Sequence, residues 1–177
     1  GVQTCALPIS NELEIMERIA LDLERVEESL ASSFNTGAED FNALIRPLSA
    51  AGGKRLRAQL CLLIANAGTS IERQRIKIAE AVEMLHLATL IHDDVLDQAE
   101  IRRGEDTIHM HKGNKVAILS GDYLFAKAFK IVSEMTNMKY LQVFSHIITC
   151  LVEGEFMQME DVYRIDQGIE RYRSEER

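Results

Sequence analysis

Apolar residues recur at helical spacing along almost the whole chain, and only two prolines, Pro8 and Pro47, interrupt them. Proline removes a backbone donor and breaks helices, so its scarcity permits long ones, and no β-branched alternating run competes. A first amphipathic helix is expected from Ser10 to about Ser33, with Leu13, Met16, Ile19, Ala20, Leu23, Val26 and Leu30 on one face. Asn35-Thr36-Gly37 breaks it, and a short helix from Asp40 to Ala51 stops at Gly52-Gly53. Lys54 to Ala67 is apolar on most sides and is expected to be a buried core helix. After Gly68-Thr69-Ser70 a long helix runs from Ile71 to Asp97, followed by a polar loop with two glycines from Ile101 to Asn114. Lys115 to Glu134 and Met138 to Tyr163 give two more helices, the first turning Leu119, Tyr123, Ala126, Phe129 and Val132 inward. The pattern shows no repeat and no second domain, and it predicts an all-α bundle around a central helix pair.

Composition narrows the class. The chain is 46% hydrophobic, enough for one domain with a substantial core, yet no apolar run approaches the roughly 18 to 20 residues of a membrane span. A net charge of −8 argues against a nucleic-acid partner, because such proteins present a basic face. Cys5, Cys61 and Cys150 are scattered, odd in number and without metal-ligand spacing, which fits a reducing cytoplasm. The first ten residues lack the basic start and apolar centre of a signal peptide.

The long helix carries the chemistry. Within EMLHLATLIHDDVLD, three carboxylates occupy five positions: Asp93, Asp94 and Asp97. Asp93 and Asp97 are four apart, so both project from one helix face and repel unless a cation lies between them. Hard divalent ions such as Mg²⁺ take carboxylate oxygens and are completed by water and phosphate. Arg102 and Arg103 follow closely, and guanidinium forks match phosphate geometry. Acids that merely solvate a helix end are the plainer reading, but acids at a helix C-terminus oppose its dipole. Lys54 and Arg57 similarly oppose the dipole where they open a helix, a cost that a bound phosphate offsets. His86 lies two turns before Asp93, and His92 reads as structural; His109 and His111 read as surface residues of the loop.

Three blocks, GGKRLRAQL (52–60), EMLHLATLIHDDVLDQAEIRRG (83–104) and SGDYLFAKA (120–128), occur in this order. Together they resemble the motifs of trans-isoprenyl diphosphate synthases, especially the polyprenyl synthases. The resemblance implies an isoprenoid-synthase-type helical bundle, present here as its N-terminal half, and Mg²⁺-dependent condensation of isopentenyl diphosphate with an allylic diphosphate. It implies metal binding at Asp93, Asp94 and Asp97, with Arg102 neutralising the departing pyrophosphate. It implies that Lys54, Arg57, His86 and Arg103 grip isopentenyl diphosphate. Leu85, Ala88 and Thr89, with Ala81, are expected beside the growing product, and the small residues just beneath the metals suit a medium or long chain. The family's second aspartate-rich motif should follow Tyr172, so 10–173 is expected to be the N-terminal part of a longer, dimeric domain, with 1–9 and 174–177 as non-native ends. Ala58 stands where the family usually has proline.

Two other classes fit parts of the pattern. Glu83-x-x-His86 has the spacing of a carboxylate-bridged di-iron bundle, but the chain offers no second such pair. A noncatalytic partner subunit of a heteromeric synthase would share the fold, although the complete acidic motif favours a catalytic role. A terpene cyclase would need neither GGKRLR nor the Arg102-Arg103 pair.

Overall fold

The computed structural model describes residues 9–34, 39–50, 53–68, 71–163 and 168–175. The chain divides into two units, 1–131 and 132–177. In the first unit, α1 (Ile9–Ser33), α2 (Glu39–Ala50), α3 (Leu56–Ala67) and α4 (Glu72–Leu96) precede a small hairpin of β1 (Ile101–Arg102) and β2 (Glu105–Asp106). A short α5 (Ile108–Lys112) and the long α6 (Asn114–Ser133) follow. The second unit contains α7 (Met138–Asp161) and α8 (Ile169–Glu175), tied by the Arg171 guanidinium donating to Asp161 at 2.5 Å. The expected helices are present within a residue or two at most ends; the expected non-native segments fall largely outside the described residues.

Packing differs from the expectation in instructive places. In the first unit α1, α3 and α4 pack on one another, and α3 with α4 forms the most extensive pair. On α1 the buried apolar stripe is Ile19, Val26, Leu30 and the following Phe34, while Leu13, Met16 and Ala20 are exposed. Only Ala58 and Leu62 of α3 are buried, on the side that packs against α1 and α4, while Leu56, Leu60, Leu63 and Ile64 are exposed. On α6 the buried stripe runs through Ala117, Ser120, Gly121, Leu124, Ala128 and Val132, about one residue out of phase with the expected set. Leu119 and Ala126 are exposed and Tyr123 and Phe129 only half-buried.

A polar seam joins α1 to α4. Arg75 grips Asp22 through two hydrogen bonds of 2.6 and 3.1 Å, and both side chains are almost wholly buried. Farther along the same two helices, the Ser29 and Ser33 hydroxyls each donate to the Glu80 carboxylate at 2.7 Å. Every buried charge in this seam therefore has a hydrogen-bonded partner, as burial requires. No described helix is long and apolar enough to cross a membrane.

Candidate functional site

The segment expected to be a loop is an ordered hairpin. Ile101 pairs with Asp106 and Arg102 with Glu105, leaving Arg103-Gly104 as a two-residue turn. Both turn residues have positive φ, 55° and 84°, the geometry whose twist matches antiparallel strands and which glycine adopts without strain. His109 and His111 then fall on α5; Thr107 Oγ1 lies 3.0 Å from His109 Nδ1, and His111 Nε2 lies 3.7 Å from the Asp106 carboxylate.

This turn delivers two arginines to α4 and to the segment before α3. Arg102 Nε donates to Asp94 Oδ1 at 2.6 Å, and Asp94 is buried. The Arg103 guanidinium lies over Gly53, where even a methyl group would sit 3.3 Å from Nη2. Lys54 and Arg57, both exposed, flank the start of α3, while Arg55 between them is buried. Arg55 holds a left-handed conformation (φ 45°, ψ 38°) as the residue capping α3, and its guanidinium forks onto Glu27 of α1 at 2.6 and 3.1 Å. The hydrogen bond to Glu27 raises its pKa above the ordinary value against the opposing cost of burial.

These elements enclose a cavity of about 530 Å³. Lys54, Arg57, His86, Arg102 and Arg103 all line it, so five of the expected phosphate-binding residues converge although they lie up to fifty positions apart. Leu87, Leu90 and Ile91 of α4 and Leu44 and Pro47 of α2 supply its apolar wall. Desolvation, with the Arg57 charge, lowers the His86 pKa from its ordinary value, and Glu83 partly counters this. His86 is thus a neutral donor and acceptor among guanidinium groups.

The acidic motif is split by the helix. Asp94 faces the cavity with its carboxylate held by Arg102; Asp93 and Asp97 are not among the lining residues. His86, Leu90 and Asp94 line the cavity from α4, while Asp93, seven residues after His86, does not. Asp97 closes α4, its N–H donating to Asp93 O at 2.8 Å, so the two acids stand one turn apart with Asp97 exposed. Two hard carboxylates at this spacing fit Mg²⁺ or Ca²⁺, which need few protein carboxylates when water and phosphate complete the shell. Among the described residues no three His, Cys, Asp or Glu side chains form a ready ligand cluster.

Of the expected product-side residues, Ala88 is wholly buried, Leu85 nearly so and Thr89 half-buried with its hydroxyl donating to His86 O at 2.9 Å. None of the three lines this cavity. His92 has the structural surroundings expected of it: Nε2 lies 3.1 Å from Ile118 O, and the ring packs on Gly121 of α6. Glu83, noted in the sequence only for di-iron spacing, accepts the Ala58 N–H at 3.0 Å and lies 3.6 Å from Arg55. Those partners commit it to the α3 terminus, away from an iron-ligand role. Arg55 and Glu27 were not singled out; the signal for Arg55 is that it falls off the face shared by Lys54 and Arg57.

The chain is also similar to known proteins. Residues 38–175 match the family model described as Polyprenyl synthetase. The chain is 38% identical over 152 residues to heptaprenyl diphosphate synthase component 2 of Geobacillus stearothermophilus, covering 85% of this chain and 47% of the relative. It is 32% identical over 159 residues to octaprenyl diphosphate synthase of Escherichia coli K12, covering 90% and 49%. A polyprenyl synthase structure from Caulobacter crescentus CB15, complexed with calcium and isoprenyl diphosphate, superposes with a TM-score of 0.84 at 32% identity, covering 91% of this chain and 49% of that one. The chain thus spans about half the length of these relatives and shares their isoprenoid-synthase-type helical fold.

Proposed function

This chain belongs to the polyprenyl synthetase family, and from that premise we propose that the full-length protein is a trans-prenyltransferase. It condenses isopentenyl diphosphate with an allylic diphosphate to make a polyprenyl diphosphate of medium or long chain. The observation that carries this reading is the convergence of Lys54, Arg57, His86, Arg102 and Arg103 on one cavity beside the acidic end of α4. Relatives named for octaprenyl and heptaprenyl products support the product class.

Roles follow from charge and geometry. Lys54, Arg57 and Arg103 neutralise the diphosphate of isopentenyl diphosphate, and neutral His86 adds a hydrogen bond. Asp93 and Asp97 would hold a divalent cation, Mg²⁺ by preference, with the Asp94–Arg102 pair beside them. Bound there with the allylic diphosphate, such an ion supplies positive charge that makes pyrophosphate a better leaving group. Arg102 stabilises the negative charge that develops as the carbon–oxygen bond breaks and its electron pair leaves with pyrophosphate. The alkene of isopentenyl diphosphate then forms the new carbon–carbon bond to the allylic cation. The proton shed in restoring the double bond passes to the released pyrophosphate.

The test is to express the full-length coding sequence and supply labelled isopentenyl diphosphate with an allylic starter and Mg²⁺. A prenyl product that disappears with chelator, and with Asp93→Ala, supports the reading; no product with any starter overturns it. The 177-residue chain alone is expected to turn over little or nothing in the same assay. A heteromeric enzyme is the second reading, favoured by the relative named as component 2. In that case product appears only when a partner subunit is added.

A further inference from the structure

We infer that Arg55 and Glu83 are positioning residues, a clamp that caps α3 from outside and thereby aims Lys54 and Arg57 into the cavity. The inference deepens the proposed diphosphate site and rests on it. A helix N-terminus leaves backbone N–H groups without partners, and Ser, Thr, Asp or Asn usually caps them from the preceding residue. Here the cap position is occupied by Arg55, which makes no side-chain capping bond. Glu83 supplies the missing acceptor from α4, taking the Ala58 N–H at 3.0 Å. Its second oxygen lies 3.6 Å from Arg55 Nη1, so one carboxylate holds both the helix end and the residue that begins it.

Arg55 anchors the same junction to α1 through its fork onto Glu27. A non-glycine residue in the left-handed region is strained and persists only where its surroundings hold it, and here two carboxylates do so. Gln59 Nε2 donates to Lys54 O at 2.5 Å, holding the carbonyl one residue earlier. The consequence is directional. Lys54 and Arg57 flank Arg55, and a left-handed turn between Lys54 and α3 turns Lys54 toward the cavity that Arg57 also lines. Burying Arg55 leaves its two neighbours as the cations that reach a ligand. Glu83 also lines that cavity, so its charge sits under the cradle while its oxygens are occupied by Ala58 and Arg55.

The test uses full-length protein and inorganic pyrophosphate as probe, titrated calorimetrically in metal-free buffer so that the acidic motif is silent. Glu83→Ala is expected to weaken pyrophosphate binding about tenfold, the scale of one charge-assisted hydrogen bond, and to raise KM for isopentenyl diphosphate similarly. KM for the allylic partner should stay within about twofold of the parent, a change too small to signal a lost contact. Glu83→Gln, which keeps an acceptor for the Ala58 N–H, should recover most of the loss. If Glu83→Ala leaves both the pyrophosphate Kd and that KM unchanged and lowers only kcat through the active fraction, the clamp is ordinary packing and the inference fails. Should Glu83→Ala not fold, Arg55→Gln decides by the same readouts. A parent that binds pyrophosphate but makes no prenyl product sinks the proposed activity and leaves the clamp testable; a parent that binds no pyrophosphate sinks both.

Discussion

The buried Asp22–Arg75 pair is the residue-scale feature with the largest stake in stability. Both groups are out of water, so removing Arg75 leaves the buried Asp22 carboxylate to the half-exposed Arg25 guanidinium 3.6 Å away, a poorer partner. Arg75→Met is expected to cost about 3 to 5 kcal/mol in a denaturant unfolding experiment, whereas replacing both partners by apolar residues of similar volume should cost far less. His86 makes a pH prediction. Its imidazole titrates below the ordinary value of 6.5 in the folded protein, so between that lowered value and 6.5 the unfolded chain binds more protons. Stability is therefore fully present above pH 6.5 and declines as pH falls below it. The denaturation midpoint of the parent should drop more steeply between pH 7 and 5.5 than that of His86→Gln; equal slopes would exclude His86 as the source. Lys54, Arg57, His86, Arg102 and Arg103 were legible in the sequence because each is a cation or histidine beside a recognisable block. Glu27 and Glu83 were not, because a glutamate on an amphipathic helix looks solvent-facing until the arginine that meets it is placed.

Elements explain where the reading of the sequence shifted. Helix limits were legible because Gly52-Gly53, Gly68 and the polar 101–114 stretch mark them, but the inward face of α6 was not. That helix is apolar on several sides, and its buried stripe includes the small residues Gly121, Ser120 and Ala128. At Gly121 the His92 ring of α4 lies where a side chain would stand. Gly121→Ala places a methyl group inside the volume of the imidazole and breaks its contact with Ile118 O, costing about 1 to 3 kcal/mol by thermal unfolding. Ser120→Ala, one residue away, loses only a local bond to Val116 O and serves as the control. The hairpin was missed for a similar reason: Arg103 occupies a turn position where Asn or Asp is the usual signal.

At the scale of the molecule, the chain spans about half the length of its relatives and carries exposed apolar side chains. Leu60 and Ile64 on α3, and Phe156 and Met159 on α7, are each more than half exposed. Apolar surface of that kind associates with whatever covers it. The 177-residue chain alone is expected to bind a hydrophobic dye and to grow in light-scattering size with concentration, while the full-length protein stays at one size. A monodisperse, dye-silent 177-residue chain would show that these faces need no cover.

Gly53 and Arg103 meet across the cavity mouth, although fifty residues separate them along the chain. The atom nearest to a new methyl at position 53 is the tip of a long, pliable side chain, so Gly53→Ala need not unsettle the fold. It nudges one finger of the grip by a few tenths of an ångström. The expected signature is a melting temperature like the parent's with a weaker hold on pyrophosphate, and the same substitution should lose its effect once Arg103 is shortened to serine. Two positions that behave this way form one functional unit, and neither can be redesigned without consulting the other.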